Sequence, residues 1–170
     1  MKKIICTFCL IILVCSCTKN KVRQKDLQIK VEVSEKIDLQ LRSYVFKDCY
    51  PVKISLINNT DTTIRYWIMR CSWEENFVLT SDSVNLFGLG CDGNFPTVKE
   101  ILPGDTIVYK NEYLRVFHWS IKQKTANVKL GFILIRENES TVNTFDSILS
   151  EKRKIKTDVI WSDDPIVLKR

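Results

Sequence analysis

Seven cysteines, a single histidine and four tryptophans are the residues through which this chain of 170 amino acids could do chemistry or grip a partner. Hydrolysis by a cysteine nucleophile needs a base beside the thiol to take its proton. Cys49 and His118 are the pair available for that, but Phe117-His118-Trp119 reads as ordinary strand or loop. Metal binding needs several His, Cys, Asp or Glu groups at ligand spacing, and none clusters near His118. No glycine-rich phosphate loop occurs. The 20 Asp and Glu residues are enough to supply the carboxylate pair of a glycoside hydrolase, yet no spacing singles out two of them. The sequence nominates no catalytic residue, no metal ligand and no cofactor, and the expectation is a protein that is not an enzyme.

Recognition is the other chemistry on offer. Aromatic side chains are enriched at the energetic centres of interfaces, and their faces can also stack on sugars. Trp67 lies in an apolar strand and reads as core. Trp73 sits among polar residues in Cys71-Ser72-Trp73-Glu74-Glu75-Asn76-Phe77, and Trp119 sits beside His118 and Ser120. Trp73 and Trp119 are the expected exposed tryptophans, and with Phe95 they are the expected partner contacts. The competing assignment is that they fill the core, as one tryptophan does in immunoglobulin domains.

The N-terminus carries chemistry of another kind. Lys2 and Lys3 precede an apolar run from Ile4 to Cys15 that only Thr7 breaks. That run falls short of the about 20 residues needed to span a bilayer. With a small residue before the cut it has the form of an export signal. Val14-Cys15-Ser16-Cys17 resembles a lipobox, with an aliphatic residue three before the cysteine and a small one just before it. The resemblance implies residues 1–16 as a lipoprotein signal peptide, acylation of Cys17, residues 17–26 as a lipidated tether and residues 27–170 as the folded domain. Two or more acyl chains anchor a protein stably. Thr18 argues against the aspartate-type inner-membrane retention signal, so the implied address is the outer membrane. Bacteroides-group lipoproteins exported to the cell surface tend to carry an acidic patch after the cysteine. Here the tether is basic, and the periplasmic face is the expected one.

That address reinterprets the charge and the cysteines. The formal net charge is +6, and Lys2 and Lys3 leave with the signal. Lys19, Lys21, Arg23 and Lys25 lie in the tether, and Lys152-Arg153-Lys154 form a second cluster. An exported protein meets no nucleic acid in normal service. Basic residues beside anionic lipid are each worth about 1 kcal/mol. Cys49, Cys71 and Cys91 remain after cleavage and acylation, an odd number that leaves one thiol over. Disulfides belong in oxidising compartments. Cys71 and Cys91 are the preferred pair, and closing that loop contributes roughly 3 kcal/mol on the chain-entropy view. The alternative is three reduced core cysteines.

The elements that must position these residues have a period of two. Leu27 to Val33 alternates strictly, as does Val52 to Leu56, which marks half-buried strands. Asn58-Asn59-Thr60-Asp61 is a turn, and Thr63 to Met69 returns after it, so the two strands read as a hairpin. Asn76 to Leu79 and Val84 to Phe87 read as neighbours across Ser81-Asp82. Pro103-Gly104-Asp105 is a strong turn before Thr106 to Tyr109. Val128 to Ile135 reads as a central strand buried on both faces. Ile160-Trp161 and Ile166-Val167-Leu168 form a last, interrupted strand. Only Asn143 to Lys154 has helical character. The predicted fold is all-β, an antiparallel immunoglobulin-like β-sandwich of about seven to nine strands.

Several motifs together carry a family resemblance. They are the strand-turn-strand through Asn58-Asn59-Thr60, Cys71-Ser72-Trp73 with Phe77, Cys91 with Asn94-Phe95-Pro96, Pro103-Gly104-Asp105, and Ile160 to Ile166. The segment from Pro51 to Tyr109 resembles outer-membrane lipoproteins of the Bacteroides type that carry such a sandwich domain, and Ile160 to Ile166 fits the same pattern, a resemblance that implies fold more than function. Asp61-Thr62-Thr63, Asp82-Ser83-Val84, Asp105-Thr106-Ile107 and Asp146-Ser147-Ile148 are similar to the O-glycosylation sequon of that group. This implies Thr62, Ser83, Thr106 and Ser147 as acceptors, although Asp-Ser/Thr also suits turns. The function expected is a membrane-anchored, non-enzymatic binding or structural lipoprotein of the cell envelope, whose partner is an envelope protein or a glycan. A distant likeness to bacterial proteinase-inhibitor sandwich domains implies an alternative, and a hydrolase is the third.

Overall fold

The computed structural model describes residues 26–41, 44–88, 92–119 and 122–170. The expected signal peptide and Cys17, the expected tether as far as residue 25, and Cys91 lie outside the described residues. Strand β1 (Leu27–Val33) buries Leu27 and Ile29 on one parity and turns Lys30 to solvent. After β2 (Ile37–Leu41) comes β3 (Tyr44–Asn58), whose fifteen residues organise the main sheet. One edge of β3 pairs antiparallel with β1, Leu27 opposite Asn58 and Val33 opposite Val52, and further along with β2. Ile54 and Leu56 point from β3 into the core and are fully buried.

Strands β4 (Ile64–Met69), β5 (Phe77–Leu79), β6 (Val84–Gly88), β7 (Pro96–Ile101) and β8 (Thr106–Val116) follow. β8 pairs with the other edge of β3 and carries β6 beyond it, giving a five-stranded sheet. The second layer is made of smaller sheets. β4 pairs with β7. β9 (Thr125–Val128) pairs with the C-terminal β12 (Ile166–Lys169). β10 (Leu130–Ile133) lies between β5 and β11 (Val159–Trp161). Every pairing is antiparallel, and the result is an all-β, sandwich-like fold. Leu56 and Leu114 of the large sheet meet Tyr66, Ile68, Phe77, Phe132 and Leu168 of the second layer in one core. All four residues of β10 are buried, as expected of its central position. The helix α1 (Phe145–Ile155) falls where helical character was predicted, and its Phe145 and Leu149 cover Met69, Val78 and Ile133.

Twelve strands occur among the described residues, more than the seven to nine expected, because several apolar runs are cut into short strands. The partnerships differ as well. β3 and β4 are not a hairpin: the Asn58 turn carries the chain from one layer to the other, and β4 pairs with β7. β5 and β6 likewise part to β10 and β8. Asn58 explains the first crossing. Its fully buried side-chain amide donates to the carbonyls of Thr62 (2.8 Å), Ile101 (2.9 Å) and Leu102 (3.1 Å). Its Oδ1 accepts from the Thr60 backbone N–H at 3.0 Å and the Thr60 hydroxyl at 2.7 Å. One side chain thus satisfies carbonyls of two turns that both change layers, at β3–β4 and β7–β8.

Candidate functional site

The outer face of the five-stranded sheet carries a row of rings around one guanidinium. Along β8, Tyr113 and Arg115 share the parity opposite to buried Glu112, Leu114 and Val116, and Phe117 continues it. Register places Phe87 of β6 beside Tyr113, and Cys49 of β3 beside Arg115. The rings of Phe87 and Tyr113 stack with centroids 5.6 Å apart and planes inclined by 28°. Phe46 lies 5.8 Å from Phe87. Phe46 reaches this face because β3 is kinked at Asp48, which takes a left-handed φ of 56°. The Arg115 guanidinium sits 5.4 Å over Phe46 and 5.3 Å over Phe117, held between two ring faces. Its buried Nε has no hydrogen-bond partner, and no carboxylate pairs with it among the described residues. Phe117 is 47% exposed, while Phe46, Phe87 and Tyr113 are half-buried.

A second arrangement lies on the inner face. Glu112 is only 6% exposed and has an oxygen with no hydrogen-bond partner. It faces Gly88, where a Cβ would come within 2.3 Å of its Oε2. Glu74, from the short 3-10 turn Trp73–Asn76, presents another buried, unpartnered oxygen. Burial first, and then the neighbouring Glu74, push the Glu112 carboxyl up to about 8. Burial also raises Glu74, with Arg153 opposing. A carboxyl of this kind holds its proton at neutral pH. Nearby, the Tyr66 and Tyr109 hydroxyls meet at 3.1 Å inside the core, and burial pushes Tyr66 up to about 12.

The residues singled out by sequence are distributed unevenly over this frame. Trp73 is half-buried: its ring stacks 4.2 Å from Tyr109 and sets its edge against Phe77, so it packs on the core. Trp119 also packs half-buried against the core. Polar sequence neighbours suggested exposure for both, but both indoles pack against the core. Phe95 is 47% exposed, with the Arg70 guanidinium 5.2 Å above it. Its loop is clamped to the Cys71 loop by Asn94, which accepts from the backbone N–H groups of Cys71 and Ser72, each at 3.1 Å. Cys71 is not free, and its Sγ lies 3.5 Å from the carbonyl of Asp92.

Cys49 is fully buried, with its thiol pointing at the carbonyl of Phe46 (3.4 Å). Burial pushes its pKa up, which disfavours the thiolate that nucleophilic catalysis requires. His118 is exposed. Thr62, Ser83, Thr106 and Ser147 are all exposed. Sequence reasoning missed the outer aromatic row, although strict alternation in Tyr113-Leu114-Arg115-Val116-Phe117 signals one face of a strand. It also missed Glu74 and Glu112, which nothing local connects.

Comparison with known proteins adds little to this geometry. No family model matches the chain, and no curated protein matches it. Among solved structures, a FixG-related protein from Vibrio parahaemolyticus is similar at a TM-score of 0.46 and 9% identity, over 86% of this chain and 98% of that one.

Proposed function

We propose that this chain is a lipid-anchored, non-enzymatic binding or structural protein of the bacterial cell envelope, held by an acylated Cys17 at the periplasmic face of the outer membrane. The anchoring part of the reading rests on Lys2-Lys3, the short apolar run and Val14-Cys15-Ser16-Cys17. The observation that carries the binding part is the row Phe46, Phe87, Tyr113 and Phe117 around an uncompensated Arg115. One exposed ring, Phe117, beside three half-buried rings on the sheet, with a cation that forms no ion pair among the described residues, has the composition of a recognition surface. The buried, proton-retaining thiol of Cys49 weighs against the cysteine hydrolase. A Cys71–Cys91 disulfide belongs to the same proposal, supported by the Asp92 carbonyl lying against the Cys71 sulfur. So does O-glycosylation at Thr62, Ser83, Thr106 or Ser147, supported by their exposure.

Metabolic labelling with a palmitate analogue tests the anchor. Full-length protein is expected to take up label and sediment with outer membranes, and Cys17→Ser to lose both. Unlabelled wild-type protein would refute anchoring. For the binding part, a photo-crosslinking residue at position 117 is expected to trap envelope material that the same probe at exposed Val142 does not. Equal trapping at both positions would refute the placement of the surface.

A further inference from the structure

Resting on that reading, we infer that the outer face of the five-stranded sheet is a saccharide site for a carboxylate-bearing sugar, whose ring lies on Phe87 and Tyr113 and whose carboxylate meets Arg115. The guanidinium supplies the charge argument. Phe46 and Phe117 hold it at 5.4 and 5.3 Å, its buried Nε has no hydrogen-bond partner, and it forms no ion pair among the described residues. Of the acids of the neighbouring hairpin, Asp48 pairs instead with Lys36 at 3.0 Å, and Asp38 accepts from the Asp48 backbone N–H at 3.4 Å. A guanidinium fork matches a carboxylate through two parallel N–H···O bonds. Clasping between rings fixes the fork before the ligand arrives, so little side-chain entropy remains to be lost.

Topology selects a sugar over an extended peptide. β8 lies beneath this face and is paired on both edges, with β3 and with β6. Its backbone groups are therefore engaged, and a peptide strand laid across it gains no main-chain hydrogen bonds, the usual source of its affinity. A pyranose needs none. Its C–H face packs against aromatic rings, and Phe87 and Tyr113, stacked at 5.6 Å, set two rings side by side next to the charge. A few apolar rings with one convergent polar group is the ordinary make-up of a small-ligand site.

Calorimetric titration of the purified domain with an oligogalacturonate tests the inference, with a neutral galacto-oligosaccharide of equal length and inorganic phosphate as comparison arms. The oligogalacturonate is expected to bind, more weakly as salt rises. In amide chemical-shift mapping it is expected to perturb Phe87, Tyr113, Arg115 and Phe117. Arg115→Lys keeps the charge but loses the fork, and is expected to weaken binding about tenfold. Phe87→Ala is expected to weaken it similarly while sparing phosphate. Absence of oligogalacturonate binding to the wild type, equal binding of the neutral oligomer, or shifts mapping elsewhere would each overturn the inference. Phosphate competing with equal affinity would reduce the face to a general anion site and overturn it too. The mapping uses unaltered protein, so a variant that fails to fold does not protect the idea. If position 117 traps an envelope protein while the oligogalacturonate fails, the saccharide inference falls and the binding-protein reading stands.

Discussion

Replacing Glu112 by glutamine separates one buried proton from the rest of the titration of this protein. In the folded chain burial and Glu74 raise the Glu112 carboxyl from an ordinary 4.5 to about 8. The folded state therefore holds the proton more tightly than the unfolded chain between those values. Glu112 contributes stability that is fully present below pH 4.5 and is lost as pH rises through 8. With solvent excluded the difference amounts to about 5 kcal/mol. Glu74 is only half-buried, and water reaching the pair screens it, so about 2–3 kcal/mol is the expected size. Urea unfolding of wild type and Glu112→Gln at acid, neutral and alkaline pH measures it, because every group not coupled to Glu112 cancels in the difference. Relative to the variant, the wild type should lose about 2–3 kcal/mol between pH 5 and pH 9. Glu74→Gln should shrink that loss, since the pair titrates together. A wild-type-minus-variant difference that stays flat across pH would refute the reasoning, and so would a difference that grows with pH.

Three further perturbations probe other parts of the frame. Asn58→Ala leaves the carbonyls of Thr62, Ile101 and Leu102 without their donor, and should cost about 2–3 kcal/mol in urea unfolding. Gly131→Ala drives a methyl to 2.3 Å from Val159 Cγ1 and 2.8 Å from Trp161 Cε3. It should lower stability by about 1–3 kcal/mol and is expected to loosen β11 first in amide exchange. Cys49 should resist an aromatic disulfide reagent in the native state and react once urea unfolds the chain, since its thiol is buried and proton-retaining; rapid native labelling would contradict its placement.

Strand existence was legible in the sequence because alternation is local: Leu27 to Val33 appears as read, and the Asn58 and Pro103-Gly104-Asp105 turns occur where their chemistry puts them. Strand partners were not legible. Asn58 bonds carbonyls more than forty positions away, and nothing near residue 58 announces that its turn changes layers. Burial of Trp73 and Trp119 was misjudged for a related reason. Their sequence neighbours are polar, but what covers them comes from elsewhere in the chain, as Tyr109 does for Trp73. The outer aromatic face was half legible. The alternation from Tyr113 to Phe117 was present, whereas Phe46 and Phe87 join it only through β3 and β6. The Glu74–Glu112 pair needed the tertiary fold, since it joins a one-turn helix to a central strand.

The pairing of β1 with β3 has a mechanical consequence. Leu27 begins β1, and all seven of its residues have a partner on β3. A pull entering at Leu27 along the strand loads those seven pairs together, whereas a pull across the sheet peels them one at a time. The outer face of β8 lies one strand beyond β3. A load carried between Leu27 and that face therefore crosses the β1–β3 and β3–β8 ladders. With the chain held at its N-terminal end, the domain resists tension best when its strands align with the pull.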